Sequence, residues 1–317
     1  MSTAIVQRSF GGPEVLGLEH VDTPAASDLL PGEVLVRVAY AGVNPVDTKT
    51  RRGAAVAGLF AGFPLTIGWD LSGTVIATGP AVTSLKTGDR VFGMSRFPHP
   101  GNAYAELVIA DASDVVVIPA GVSDEQAAAL PLAGLTAWEF LVEVGAVKPG
   151  QHVLIQGAGG GTGHLAVQIA RHLGAHVTAT ASTSKQSWLR ELGADRAIDY
   201  TVDDVPTVFA DRPFDLVFNA SNGTARAGIL TTKAGGIVID ISETVTDADR
   251  ELARATGVRV EVPAVSLNRT GLEALADLAA AGHLVAHVDR IYPLADATEA
   301  HRQLEAGHAQ GKLLLRP

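Results

Sequence analysis

Residues 152–182 read HVLIQGAGGGTGHLAVQIARHLGAHVTATAS. A short apolar run, Val153–Ile155, leads into Gly157, Gly159, Gly160, Gly161 and Gly163. Beyond the glycines, Leu165, Ile169 and Leu173 recur every four residues with Ala166 and Ala170 beside them, the spacing of an amphipathic helix. Another strand candidate, 176–181, follows. Strand, glycine turn, helix and strand make one βαβ unit. Its turn brings the backbone close to a ligand, where orphan N–H groups and the positive helix end converge. The guest of such a turn is the pyrophosphate of a dinucleotide. The strict G-x-G-x-x-G spacing is not met, because Thr162 takes the sixth position counted from Gly157. The spacing G-x-x-G-x-x-G is met at Gly157, Gly160 and Gly163, and the flanking strand and helix supply its context.

Outward from this unit the rhythm differs on the two sides. The first third reads as β structure with many turns. Val34, Val36 and Val38 alternate on one face of EVLVRVAY, and Gly-Pro, Thr-Gly-Asp and Pro-Gly punctuate the chain. Near residue 123 the pattern becomes helical, with Ser123 as N-cap and Gln126 three residues on as a capping box. Strand candidates then recur after helical stretches at 152–156, 176–181, 197–200, 214–219, 236–241 and 258–262, the order of a doubly wound parallel sheet. The last stretch holds a helix over 270–281, a strand over 286–291, another helix and a terminal strand over 312–315.

Composition narrows the function classes. The chain has 317 residues, 47% hydrophobic and 18% charged, enough for about two domains with a large core. The net charge of −10 disfavours nucleic acid as a partner, since phosphate neutralisation needs a basic face. Cysteine is absent, which removes disulfides, thiol nucleophiles and cysteine-based metal sites. The N-terminal residues lack an apolar signal core and no run is long enough for a membrane helix, so the expected location is the cytoplasm.

Seven segments, in order, carry a resemblance to a known family: AGVNPVDTK (41–49), GWDLSGTV (68–75), GDRVFG (88–93), YAE (104–106), LPLAGLTAWE (130–139), GAGGGTG (157–163) and GKLLLRP (311–317). Together they resemble the medium-chain dehydrogenase/reductase superfamily, and within it the zinc-free, ζ-crystallin-like quinone oxidoreductases. The resemblance implies an α/β fold in two parts. A β-rich, chaperonin-10-like catalytic domain spans 1–123 and 264–317, and a Rossmann domain for NADPH spans 124–263. It also implies a homodimer paired through the edge strand near 258–262. Zinc-dependent relatives place ligands where this chain has Asn44 and Trp69, and a third close to Leu132; asparagine, tryptophan and leucine do not make such a site, so no metal is expected. His283 and His287 straddle a helix end and His164 lies inside the glycine-linked helix, which read as structural or solvent positions; His99 reads as solvent-exposed.

Cofactor choice reads from the second strand. NAD-preferring folds end it with a carboxylate for the ribose hydroxyl. Here it ends in Ala181, Ser182, Thr183, Ser184 and Lys185, which offers hydroxyls and a cation to a 2′-phosphate and points to NADPH. Ser182–Ser184 also reads as a helix cap, and both can hold at once. The resemblance adds Tyr200 beside the adenosine phosphate, Thr136 near the nicotinamide, backbone around Ser242 for the carboxamide, and the Gly311-Lys312 turn over the cofactor. Thr136 also reads as a hydroxyl bonded to its own helix.

For substrate, Asn44 is the expected pocket residue, because its amide can donate to the oxygen of a quinone or enone as hydride arrives. It also reads as the residue that holds the turn before Pro45. Asp47 is expected to order that turn. The implied activity is hydride transfer from NADPH to quinones or other α,β-unsaturated carbonyl compounds. An enoyl-thioester reductase and a cofactor-binding sensor with little turnover remain the alternatives.

Overall fold

The alternating apolar pattern of the first third builds antiparallel strands. In the computed structural model, which describes residues 1–242, 244–307 and 309–317, the chain divides into two compact units. One comprises Met1–Leu135 with Ser266–Pro317, the other Thr136–Val265.

In the first unit, β1 (Ser2–Val6) pairs antiparallel with β2 (Gly17–Val21). Strand β3 (Glu33–Val43) leads into helix α1 (Pro45–Arg51). Next come β4 (Asp70–Thr78), β5 (Arg90–Met94), β6 (Leu107–Asp111) and β7 (Val115–Val117). Val34, Val36 and Val38 are buried as the alternation requires, but so is Leu35. The cause is the position of β3: it pairs with β4 on one edge and β6 on the other, and its register to β4 shifts between Leu35 and Val36, which breaks strict alternation.

Helix α2 (Asp124–Ala128) starts where Ser123 Oγ accepts from the Gln126 N–H at 3.2 Å. The expected return bond from the Gln126 side chain is absent. That amide instead bonds both backbone groups of Ala286, at 2.7 and 2.9 Å. Helix α3 (Pro131–Trp138) follows.

The second unit alternates strictly: β8 (His152–Gln156), α4 (Gly163–His172), β9 (His176–Ala181), α5 (Gln186–Glu191), β10 (Arg196–Asp199), α6 (Val205–Val208), β11 (Phe214–Asn219), α7 (Ala225–Thr231), β12 (Thr232–Asp240), α8 (Asp247–Thr256) and β13 (Arg259–Glu261). All six strands are parallel in the order β10-β9-β8-β11-β12-β13. Val153, Leu154 and Ile155 have no exposed surface, as expected of a strand covered on both faces. The strand order reverses between β8 and β11, and a doubly wound sheet binds its ligand at the carboxyl ends flanking that point.

The chain then returns to the first unit through α9 (Arg269–Ala280), β14 (Val288–Pro293), α10 (Ala297–Glu305) and β15 (Lys312–Arg316). β14 starts two residues later than the sequence suggests, because the Gln126 side chain occupies the backbone groups of Ala286 that a strand would need. β15 joins β14 in parallel and β3 antiparallel, completing the sheet order β14-β15-β3-β4-β5-β7. No helix among the described residues is long and apolar enough to cross a membrane.

Candidate active site

Two groups of residues carry chemistry, one in each unit. In the second unit the turn between β8 and α4 is built from glycine for steric reasons. Gly157 has φ +71°, which favours glycine. A Cβ on Gly163 would lie 2.3 Å from the Gly157 carbonyl oxygen and 2.7 Å from Ala158 Cα, so no side chain fits there. A Cβ on Gly160 would meet only the Gly157 oxygen, at 3.5 Å. The turn therefore packs tightly against α4 on one side and presents bare backbone on the other, with first-turn N–H groups that a helix cannot satisfy internally. A turn of that kind can accept a pyrophosphate. Thr162 stands at the N-cap of α4 and its carbonyl accepts from Ala166 at 3.0 Å, so the departure from the strict glycine spacing does not disturb the helix start. His164 is buried, stacks on Trp188 at 5.7 Å and donates from Nδ1 to the Gly160 carbonyl at 2.9 Å, so it braces the turn.

At the end of β9, Ser182 is half-buried and Lys185 Nζ lies 3.3 Å from the Gly159 carbonyl, against the glycine turn. The Gln186 amide holds this segment by donating to the carbonyls of Ala181 and Ile198 at 2.8 and 3.0 Å. The sequence reading found no carboxylate here, and the structure corrects it. Parallel pairing sets Asp199 of β10 beside Ala181, and Asp199 accepts bonds from the hydroxyls of Thr183 and Thr201. Those bonds hold its carboxyl below the usual range. Tyr200, next in the chain, is exposed.

Across the switch point, the ends of β11 and β12 are tied together. Asn219 Nδ2 donates to Asp240 Oδ2 at 2.6 Å, and Asp240 Oδ1 accepts from the Ser242 N–H and hydroxyl, both at 2.9 Å. Asp240 thereby fixes the backbone at 241–242. Thr136 is buried on α3.

In the first unit, Asn44 and Lys312 come together. Asn44 caps α1, and its N–H donates to Asp47 Oδ2 at 2.6 Å, so Asp47 orders the turn as expected. The Asn44 side chain is buried between two charged groups. Its Oδ1 accepts from Lys312 Nζ, and its Nδ2 donates to Asp70 Oδ2 at 2.8 Å. Lys312 Nζ also donates to the Val43 carbonyl at 3.3 Å and lies 3.5 Å from Asp70 Oδ2. Asp70 Oδ1 accepts from the Leu132 N–H at 2.9 Å. The expectation that the Gly311-Lys312 turn covers a ligand left an exposed lysine as its alternative; the structure excludes that alternative, since only 3% of Lys312 is exposed.

Behind Asn44 the network continues. Tyr104 Oη donates to Asp47 Oδ2 at 3.1 Å and lies 3.1 Å from His301 Nε2. His301 Nδ1 lies 3.0 Å from Arg51 Nη1, which can only donate, so Nδ1 accepts and Nε2 carries the ring proton. Arg51 is fully buried; its Nη2 pairs with Glu305 and its Nε donates to the Gly11 carbonyl at 3.2 Å.

Burial sets the electrostatics. It pushes the Asp47 carboxyl up to about 8, with Asp70 adding to the rise while the Asn44 N–H and the Lys312 ammonium oppose it. Burial also raises Asp70 and lowers Lys312, each moderated by the other. Burial, with the Arg51 guanidinium beside it, pushes His301 down to about 3.

Asp47 reads in the sequence as a turn residue, Asp70 and Tyr104 appear only within the segments GWDLSGTV and YAE, and His301 and Arg51 carry no site reading. A signal for two of them existed. Asp47 and Arg51 are four apart on α1 and share a face. His301 interrupts the small apolar stripe Ala297, Ala300 and Leu304 of α10. Trp69 is buried and its Nε1 donates to the His99 carbonyl at 2.7 Å, so it pins the 95–101 loop from inside. Among the described residues no group of three or more His, Asp or Glu could hold a metal ion.

Residues 30–120 match the alcohol dehydrogenase GroES-like domain family, and residues 192–315 match the zinc-binding dehydrogenase family. The chain is 33% identical to an NADPH-dependent alkenal/one oxidoreductase of Arabidopsis thaliana, over 99% of this chain and 79% of that protein. The quinone oxidoreductase from Coxiella burnetii superposes with a TM-score of 0.91 at 34% identity, covering 100% of this chain and 99% of the other. The Escherichia coli quinone oxidoreductase complexed with NADPH superposes at 0.87 with 30% identity, covering 99% and 100%.

Proposed function

We propose a function from one premise: this chain belongs to the medium-chain dehydrogenase/reductase superfamily, beside its quinone and alkenal oxidoreductases, and is an oxidoreductase that uses a nicotinamide cofactor. The function is reduction of quinones or other α,β-unsaturated carbonyl compounds by NADPH, without zinc.

NADPH, when bound, supplies the hydride. The chain's own residues do the rest. Gly157, Gly159, Gly160, Gly161, Thr162 and Gly163 offer backbone to the pyrophosphate. Ser182 and Lys185 take the 2′-phosphate, with Tyr200 beside them. Thr136 and the Ser242 backbone orient the nicotinamide. Lys185 and Asp199 bring opposite charges to the same strand ends, and support for NADPH over NADH comes from the occupation of Asp199 by two hydroxyls. Support for a metal-free reaction comes from the residues at the ligand positions of zinc relatives, where Asn44 and the Leu132 backbone serve Asp70 as hydrogen-bond donors.

The observation that carries the reading is the Asn44 amide. One Nδ2 hydrogen goes to Asp70; the second has no acceptor among the described residues. A carbonyl oxygen could accept from that second hydrogen. As hydride arrives at a conjugated carbon, negative charge grows on that oxygen, and the bond to Asn44 strengthens. A homodimer paired along β13, an edge of the parallel sheet, belongs to the same reading.

Oxidation of NADPH and of NADH by a simple quinone and by an enone tests it. Turnover of both electrophiles with NADPH preferred is expected. Tight NADPH binding without turnover across a broad panel would make the chain a sensor. Equal affinity for both cofactors would remove the NADPH assignment.

A further inference from the structure

The Asn44 amide is clamped by two ionisable groups that cannot exchange roles. An ammonium only donates and a carboxylate only accepts, so Lys312 selects the oxygen end and Asp70 the nitrogen end. A flipped amide would set its NH2 against the ammonium and its oxygen against the carboxylate. The two charges also polarise the amide in one sense: the cation draws density toward Oδ1 and the anion draws the nitrogen-bound hydrogen, a cooperative chain in a low-dielectric interior.

Stability does not account for this arrangement. Asp70 has no exposed surface and Lys312 has 3%. Desolvation of such a pair offsets most or all of its attraction, and apolar residues of similar volume often serve as well. Two ionisable groups kept beside a single amide call for a use beyond the fold.

We propose that Lys312 and Asp70 are positioning residues, which lock the Asn44 amide in one orientation and leave its second N–H as a preorganised donor to the substrate oxygen. This rests on the reading of Asn44 as that donor. It assigns Lys312 to the substrate half of the site rather than to the cofactor.

The hydrogen-bond pattern offers a swap that a purely structural cluster would tolerate. In the double variant N44D/D70N, the carboxylate at 44 still accepts from Lys312. The amide at 70 still accepts from the Leu132 N–H and now donates to position 44. The hydrogen bonds of Lys312 to position 44, of 44 to 70 and of the Leu132 N–H to 70 each keep a donor and an acceptor, the ion pair of Lys312 passes from Asp70 to the carboxylate at 44, and the formal charge is unchanged, but the spare N–H has moved. The swap, K312M and N44A are compared with wild type in thermal midpoint, NADPH dissociation constant, and kcat and KM for a quinone.

The expected result is a folded swap variant with wild-type NADPH affinity and kcat lowered about 100-fold, the loss typical of a missing oxyanion donor. K312M should lose about tenfold or more in kcat with KM and NADPH affinity little changed. A swap variant with wild-type kcat, or a K312M variant impaired only in NADPH affinity, would overturn the proposal. Loss of kcat in N44A with wild-type behaviour in the other two would overturn it while sparing the Asn44 reading. Wild-type kcat in N44A would overturn that reading itself. If the swap variant does not fold, K312M alone decides.

Discussion

The glycine turn and the Asn44 cluster solve opposite problems. The turn is made by removing side chains. Four of the six residues between β8 and α4 are glycine, the cradle proposed for the pyrophosphate, and their spacing is the whole design. The cluster is made by adding charged side chains to a dry interior. Asn44, Asp70, Tyr104, His301 and Lys312 come from five separate stretches of chain; hydrogen bonds join Asn44 to Asp70 and Lys312, and Tyr104 to His301, and Asp47 links the two groups. A site of backbone is written locally and tolerates little added volume. A site of buried charge is written across the chain and depends on pairing.

The sharpest way to break the first half of that contrast is to add one methyl group. Gly163→Ala puts a Cβ 2.3 Å from the Gly157 carbonyl, a backbone atom that cannot step aside. Overpacking of about 2–3 kcal/mol should fall on the cradle and weaken NADPH binding near 100-fold. Gly160→Ala, with only one contact at 3.5 Å, should leave the thermal midpoint unchanged. Titration by fluorescence and a melting curve check both, and equal effects at the two positions would remove the steric account of the turn.

A smaller effect tests where backbone recognition ends and charge recognition begins. Lys185→Ala should weaken NADPH about tenfold, the value of one charge-assisted hydrogen bond, and leave NADH unaltered. Equal losses for both cofactors would mean that Lys185 supports the turn through Gly159 and does not read the phosphate.

The smallest predicted effect probes the pairing in the charged cluster. His301 is kept neutral, with its pKa lowered from 6.5 to about 3. Between those values the unfolded chain binds a proton that the folded chain refuses. This contribution to stability is therefore lost as pH falls. Asp47, raised to about 8, acts with the opposite sign in the same window, so the readout is the difference between two proteins. The stability advantage of wild type over His301→Gln should shrink by about 1 kcal/mol from pH 6.5 to 5.5. Chemical denaturation at the two pH values measures it, and a constant difference would show that the ring takes up its proton without penalty in the fold.

The same contrast explains what the sequence could tell. The βαβ unit was legible because its signals lie within one window: an apolar run, glycines and a fourfold repeat. The six parallel strands were legible for the same reason, to within a few residues. Leu35 escaped because a register shift in β3 follows from its two neighbours, not from its own pattern. Gln126 escaped because its amide found Ala286, 160 residues away, in place of the Ser123 backbone. Asp199 escaped because its neighbour Ala181 lies on the adjacent strand, 18 positions earlier. The contacts of Lys312 were hidden most completely. Its partner Asn44 is 268 residues away, and a turn expected to lie over the cofactor gives no sign of that partner until the strand pairing of β15 with β3 brings Lys312 inside.

The account stands on Asn44 as the donor to the substrate oxygen. Single-turnover transfer of hydride from prebound NADPH to a quinone, followed in wild type and Asn44→Ala, measures that directly. The predicted result is a transfer rate about 100-fold slower in the variant, with NADPH affinity unchanged. Equal transfer rates in the two proteins would contradict it.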